Sequence, residues 1–298
     1  MGEIGKQLPK VLWPVFEKSL LELQVNYARS LGIQNIYINL HYMGDQIEAY
    51  CKGRSSFQGV QFLWERPEIL DIGGAVHNLA VKVKYKGRLL VLNADQFFYM
   101  GKEDLLKFLV PYEKYSAVLF TYEVNTSLGY NALEVDETRM IKRIIQNKDM
   151  PKDRIVETYT GISCIDLSKL EKIAGKSPFF ESVCPFDKTS IPVISLKKMD
   201  YWDFGTIKRY WETMHRLLSV YRTRSTHPFL RFLVQERALK TWKIDLQRLS
   251  YHAKSTGVLN FNPDEESKIL APTIILEGFC DQQVASPSIW WRGIKADV

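Results

Sequence analysis

The run Leu89-Leu90-Val91-Leu92, entered through Arg88 and left through Asn93-Ala94-Asp95, constrains the fold more than any other part of the chain. It is short for a helix and too uniformly apolar for a strand with one wet face, so it reads as a strand buried on both faces. Such a strand needs helices covering it, and the neighbouring sequence provides them. Apolar residues recur at Leu20, Leu23, Tyr27 and Leu31 through SLLELQVNYARS, a helical spacing that Gly32 stops. Residues 35–40 are β-rich, 44–52 (GDQIEAYCK) read as a helix, 60–64 as a strand, and the Gly73-Gly74 pair opens a helix-like run to Val81. Strands alternating with helices imply an α/β fold with a largely parallel sheet.

Beyond Gly101 the pattern predicts a helix near 104–112, a strand at 116–122, a hairpin over 131–145 turning at Asp136-Glu137, a strand at 159–165, and a helix that Asp203 opens and Leu218 closes. The texture then changes to a basic helical stretch and short β-like runs, so a boundary is expected near Val220, giving domains 1–220 and 221–298. A chain of 298 residues buries enough surface to need no disulfides or structural metals. The four cysteines are widely spaced without a C-x-x-C pair, which predicts a reducing compartment. No basic-then-apolar leader and no long apolar run is present, so a cytoplasmic location and no membrane partner are expected. Forty Lys plus Arg against 34 Asp plus Glu leave a net charge of +6, which suits a phosphate-bearing ligand but is too small and dispersed for nucleic acid.

Asp95 follows the apolar strand directly. At the carboxyl end of a parallel strand a carboxylate faces the crevice where open α/β sheets bind ligands, and it can hold a divalent cation; standing alone, it would as readily cap a turn. Asp203, in Tyr201-Trp202-Asp203-Phe204-Gly205-Thr206, would by itself cap a helix, yet two distant carboxylates converging on one Mg²⁺ recur in phosphoryl transfer. Lys10 lies in the Pro-punctuated segment LPKVLWPV, where most lysines are merely solvated. Glu65 precedes Gly73-Gly74, a pair that permits close backbone approach to a ligand or simply punctuates a loop–helix junction. The five histidines show no metal spacing and no nucleophile motif is present. The tryptophans at 202, 211, 242, 290 and 291 read as core or interface.

In order, the segments LPKVLWPVFEKSLLE, INLHYMGDQIEAY, ERPEILDIGGAV, LLVLNADQFF, TYTGISCID and YWDFGTIKRYWE resemble the sugar-1-phosphate nucleotidyltransferases, of the mannose-1-phosphate guanylyltransferase-like and glucose-1-phosphate thymidylyltransferase-like kind, over about residues 8–218. The resemblance implies a Rossmann-like sheet and a reaction in which a sugar 1-phosphate oxygen attacks the α-phosphate of an NTP and pyrophosphate leaves. It implies that Asp95 and Asp203 hold Mg²⁺, that Lys10 neutralises phosphate oxygens, that Glu65, Gly73 and Gly74 border the base, and that Thr160 and Gly161 line the sugar pocket with backbone groups. Where the family has a glutamate-lysine pair on the sugar phosphate, this chain has Gln146-Asn147-Lys148, with Lys148 the available cation.

The family also opens with a buried strand and a loop of the form G-x-G-x-R-L-x-P-x-T, whereas here GEIGKQ stands directly before LPK. From that departure, either the start site is late or the loop and efficient catalysis are lost, so a catalytically silent nucleotide-sugar-binding homologue is the alternative to an enzyme. A glycosyltransferase is a third reading that Asn93-Ala94-Asp95 only partly fits. The tail 267–280 resembles the six-residue turns of a left-handed β-helix, expected to pack on the catalytic domain or to form a homodimer contact.

Overall fold

A computed structural model describes residues 2–196, 201–223, 226–239, 243–245, 247, 250–252, 258–260, 273–277 and 286–298. Its first long helix, α1 (Leu20–Ser30), starts where Ser19 accepts a hydrogen bond from the Glu22 amide at 3.1 Å, an N-cap that satisfies one otherwise free donor. Leu20, Leu23 and Tyr27 are buried as their spacing predicts, and Gly32 takes the left-handed conformation that ends the run. The strand β1 (Tyr37–Leu40) pairs in parallel with β2 (Gln61–Trp64) across the helix α2 (Gly44–Cys51). A glycine begins α2 because the Trp64 ring lies 2.5 Å from where a Cβ of residue 44 would be.

After α3 (Asp71–Lys82) comes β3 (Arg88–Val91), then β4 (Gln96–Phe98), α4 (Lys102–Leu109) and β5 (Ala117–Asn125). The hairpin β6 (Ala132–Val135) and β7 (Ile141–Ile145) closes through Asp136, whose carboxylate accepts the amides of Thr138 and Met140 at 2.9 Å. The long strand β8 (Ile155–Asp166), then β9 (Val193–Ser195), complete a four-stranded sheet in the order β9-β5-β8-β3. Within it β9 runs parallel to β5, while β8 is antiparallel to both its neighbours. The class is α/β, and in this part of the described chain the parallel pairs are β1–β2 and β5–β9.

The strand β10 (Tyr201–Asp203) is followed by α5 (Ile207–Thr223) and α6 (Pro228–Gln235). Asp203 therefore ends a strand, rather than opening a helix as its sequence context suggests; its carboxylate caps the Gly205 turn four residues before α5 begins. The division expected near Val220 falls inside α5, and Phe229 and Phe232 of α6 pack on Phe97, with the Phe97 and Phe229 ring centroids 4.7 Å apart. Trp202 joins that aromatic cluster and is fully buried.

In the tail, strands at 243–245, 250–252, 258–260, 273–277, 288–291 and 294–297 form one sheet. Only the pair at 273–277 and 288–291 is parallel, so the described part of the tail is a mixed sheet rather than stacked β-helix turns. The rest of 267–280 lies outside the described residues, as do Trp242 and Cys280. No helix among the described residues is long and apolar enough to cross a membrane.

Candidate active site

The site begins with a strand pair. From β3 the chain passes through Asn93-Ala94-Asp95 into β4, which lies antiparallel to β10 with Gln96 opposite Asp203 and Phe98 opposite Tyr201. The Phe204 amide donates to the Asp95 carbonyl at 2.9 Å, which extends the pairing by one more contact. Burial of Phe97 and Trp202 fixes this two-stranded ribbon in the aromatic core. Two aspartates about a hundred residues apart in sequence are thus held side by side by backbone hydrogen bonds and apolar packing.

Their carboxylates meet around Gly205. A Cβ at that position would lie 2.9 Å from Asp203 Oδ1 and 3.3 Å from Asp95 Oδ2, which puts those two oxygens within about 6 Å of one another. Lys10, on the short 3-10 turn Lys10–Leu12, donates from Nζ to Asp95 Oδ2 at 2.6 Å and to the Gly205 carbonyl at 3.0 Å. Asp203 Oδ1 accepts the Gly205 amide at 2.7 Å. Its other oxygen accepts a hydrogen bond from the Tyr130 hydroxyl and lies 3.5 Å from Arg209 Nη1. Lys10, Asp95 and Asp203 are therefore brought together, with Tyr130, Gly205 and Arg209 completing the group.

Charge in the cluster is balanced, two carboxylates against one ammonium and one guanidinium. The Lys10 and Asp95 side chains keep 30% and 28% of their surface exposed, so their ion pair is worth at most about 1 kcal/mol and can open to admit a ligand. Asp203 is more enclosed, at 12%. Burial, reinforced by the hydrogen bond to Asp203, pushes the Tyr130 phenol well above its ordinary value, so it stays a donor across the neutral range. Arg209 stacks over the Tyr130 ring, 4.1 Å from its centroid, and donates to the Leu128 carbonyl at 2.8 Å. This stacking and hydrogen bonding orient both partners of Asp203.

Thr160 and Gly161 lie alongside. Gly161, at φ +78°, sits in a β-bulge of β8, and a Cβ there would run into Asn93 Nδ2 and come within 2.7 Å of Gln96 Oε1. Only glycine allows this approach to the loop that carries Asp95. The Thr160 hydroxyl is turned into the core and donates to the Phe120 carbonyl at 2.7 Å.

Glu65, Gly73 and Gly74 have other contacts. Glu65 is buried and accepts hydrogen bonds from Asn39 Nδ2 and the Leu70 amide, so its carboxylate ties down the loop into α3. The space beside the two glycines is taken by the chain itself: a Cβ at Gly73 would lie 2.5 Å from the Ser177 carbonyl oxygen, and one at Gly74 2.5 Å from that of Gly175. Close packing of α3 on the 175–182 segment accounts for the glycine pair. Lys148 is exposed on the 3-10 turn Asn147–Asp149, and it is Asn147 that points inward, donating to the carbonyls of Thr126 and Tyr130 at 2.7 and 3.3 Å.

Sequence reasoning passed over Tyr130 and Arg209. Arg209 had a signal, since it lies one helical turn after Thr206, whose hydroxyl accepts its amide at 3.1 Å. Tyr130 had none, because its link to Asp203 depends on the placing of the loop before β6. Among the described residues no group of three or more His, Cys, Asp or Glu side chains could enclose a metal. Two carboxylates are instead the kind of donor set that suits Mg²⁺, which keeps several waters and shares its coordination with substrate phosphates.

The chain is 30% identical over 145 residues to the bifunctional protein GlmU of Thermosynechococcus vestitus, covering 48% of this chain and 31% of that protein. It is 31% identical over 173 residues to that of Synechococcus elongatus, covering 56% and 37%. The chain thus matches about a third of the length of these relatives. Crystal structures of HddC from Yersinia pseudotuberculosis share the fold at 21% identity, with TM-scores of 0.59 for the complex with GMP-PN and 0.60 for the other, over 70% of this chain and 90% of HddC. Residues 3–220 match the nucleotidyl transferase profile, and the chain belongs to the nucleotidyl transferase family.

Proposed function

We propose that this chain transfers a nucleotidyl group from an NTP to a sugar 1-phosphate, releasing pyrophosphate. The observation that carries the proposal is the convergence of Asp95 and Asp203 around Gly205, with Lys10 bridging Asp95 and the Gly205 carbonyl, in a member of the nucleotidyl transferase family. In the reaction an oxygen of the sugar phosphate forms a bond to the α-phosphorus. The bond between that phosphorus and the bridging oxygen to the β-phosphorus breaks, and its electron pair leaves with pyrophosphate. No covalent enzyme intermediate and no redox partner are needed.

Asp95 and Asp203 would hold Mg²⁺, which when bound offsets charge on the phosphate oxygens. Lys10 exchanges its partner Asp95 for a phosphate oxygen, for which its exposure and point charge suit it. Tyr130 and Arg209 hold the Asp203 carboxylate in place while the substrates bind. Gly161 brings backbone against Asn93 and gives the sugar a wall without a side chain. The work is positioning and electrostatic stabilisation, the main contributions in phosphoryl transfer.

A panel of NTPs crossed with hexose 1-phosphates tests this through Mg²⁺-dependent pyrophosphate release. At least one pairing should turn over, and Lys10→Gln should lower its kcat about 100-fold, the scale of a lost transition-state donor. Tight binding of nucleotide sugar with no turnover in any pairing would remove the proposal and leave a silent binding homologue.

A further inference from the structure

Helix α1 carries a polar residue where its pattern calls for an apolar one. Gln24 stands among Leu20, Leu23, Tyr27 and Leu31 on the stripe that faces the core, and it is only 7% exposed. Packing alone favours an apolar side chain there, since a buried amide without partners is costly. The partners of Gln24 lie outside the helix, in the segment that carries Asp95. Its Nε2 donates to the Asn93 carbonyl at 3.1 Å and to the Gln96 carbonyl, so both amide hydrogens are used on the two ends of one turn. The turn also closes on itself, with the Gln96 amide donating to the Asn93 carbonyl at 3.2 Å. Asp95 lies in the sequence between the two carbonyls that Gln24 holds.

One turn further along α1, Tyr27 grips the other end of the same segment. Its hydroxyl donates to the Met100 carbonyl at 3.0 Å and accepts the Met100 amide at 3.1 Å, and its ring packs on Phe97 with centroids 5.4 Å apart. The helix therefore ties down β4 at both ends, and the ends differ in what they carry. Met100 leads through Gly101 into α4, whereas the turn 93–96 presents Asp95 beside Asp203 around Gly205. With the carbonyls of Asn93 and Gln96 held by Gln24, and that of Asp95 by the Phe204 amide, the backbone is fixed on both sides of the aspartate. Only the side-chain torsions of Asp95 then remain to place its carboxylate, in a kind of site whose ligands must be held to within about 0.5 Å.

We propose that Gln24 is a positioning residue for the metal site: its amide fixes the turn 93–96 so that the Asp95 carboxylate meets that of Asp203. The inference rests on the reading of these two carboxylates as holding Mg²⁺. Gln24 acts through the backbone alone.

The probe is Mn²⁺, titrated into the full chain without substrates and followed by the loss of its free electron paramagnetic resonance signal. The unaltered protein should bind one ion, and Asp95→Asn should abolish that binding. Gln24→Met keeps the length of the side chain and removes its donors; it should weaken Mn²⁺ binding about tenfold, the lower end for a lost outer-shell partner, and speed amide exchange at Gln96 and Phe204. Gln24→Asn, one methylene shorter, should weaken binding about twofold or more and decides the matter if the Met variant does not fold. Tyr27→Phe is the control, because it cuts the ties at Met100 and should lower the unfolding midpoint while leaving Mn²⁺ affinity unchanged. Equal affinity in the Gln24 variants and the unaltered protein overturns the inference. An equal loss in Tyr27→Phe also overturns it, since α1 would then be a general support. Mn²⁺ binding that weakens as expected in a protein that turns over no pair of substrates would remove nucleotidyl transfer and leave the inference standing, whereas a protein that binds no Mn²⁺ removes both.

Discussion

A hydroxyl 73 residues upstream of the carboxylate it serves decides how Asp203 is presented. Tyr130 donates to one Asp203 oxygen while the Gly205 amide holds the other, so the carboxylate cannot rotate freely. Tyr130→Phe keeps the ring under Arg209 and removes only this donor. The expected result is a roughly 10-fold fall in kcat for pyrophosphate release, with more Mg²⁺ needed for half-maximal rate and an unchanged unfolding midpoint. An equal loss of stability would make Tyr130 a packing residue only. At this scale the sequence was informative where chemistry is local, since Asp203 sits two residues from Gly205, while Asp95 lies in the turn between β3 and β4, and β3 pairs antiparallel with β8 rather than in parallel as its sequence suggests. It was silent on Tyr130, whose role comes from a tertiary contact, and the Gly73-Gly74 pair that suggests a ligand is occupied by the backbone of 175–178.

Among elements, glycines mark where segments approach most closely. Gly73→Ala would place a methyl group against the Ser182 hydroxyl and 2.5 Å from the Ser177 carbonyl, and backbone there cannot yield cheaply. Overpacking of this kind costs about 1–3 kcal/mol, to be read from urea denaturation. Gly101→Ala is the control, because its nearest contact is at 3.7 Å and its φ is ordinary, and it should leave the midpoint unchanged or slightly raised. Elements with strong periodicity, such as α1 and the β6–β7 hairpin, were legible from apolar spacing and turn chemistry. The antiparallel course of β8 was not, since a strand's direction depends on what it pairs with, and neither was the strand at Tyr201–Asp203, whose three residues are too few to show a period.

For the molecule as a whole, burial of tyrosines couples stability to alkaline pH. Desolvation raises the phenols of Tyr27, Tyr159 and Tyr210, and moves Tyr122 up to about 12. Below pH 10 these groups are protonated in both folded and unfolded chains and contribute no pH dependence. Above it the unfolded chain loses protons that the fold retains, so stability falls as pH rises, by about 1.4 kcal/mol per pH unit for each such group. Burial raises the thiols of Cys51, Cys164 and Cys184 in the same way, so urea midpoints between pH 8 and pH 11 should begin to fall near pH 9 and drop more steeply above pH 10. A flat profile through pH 11 would show that the aromatic core does not hold these phenols neutral.

The account rests on Asp95 and Asp203 acting as one site because the β4–β10 pair holds them together. Its most direct test is a double-mutant cycle on pyrophosphate release with Asp95→Asn, Asp203→Asn and the combined variant, each confirmed folded. Each single substitution should lower the Mg²⁺-dependent rate at least 100-fold, and the double should be no slower than the worse single, as for groups that work as a unit. Release that survives either substitution, or losses that simply multiply in the double variant, would contradict a shared site.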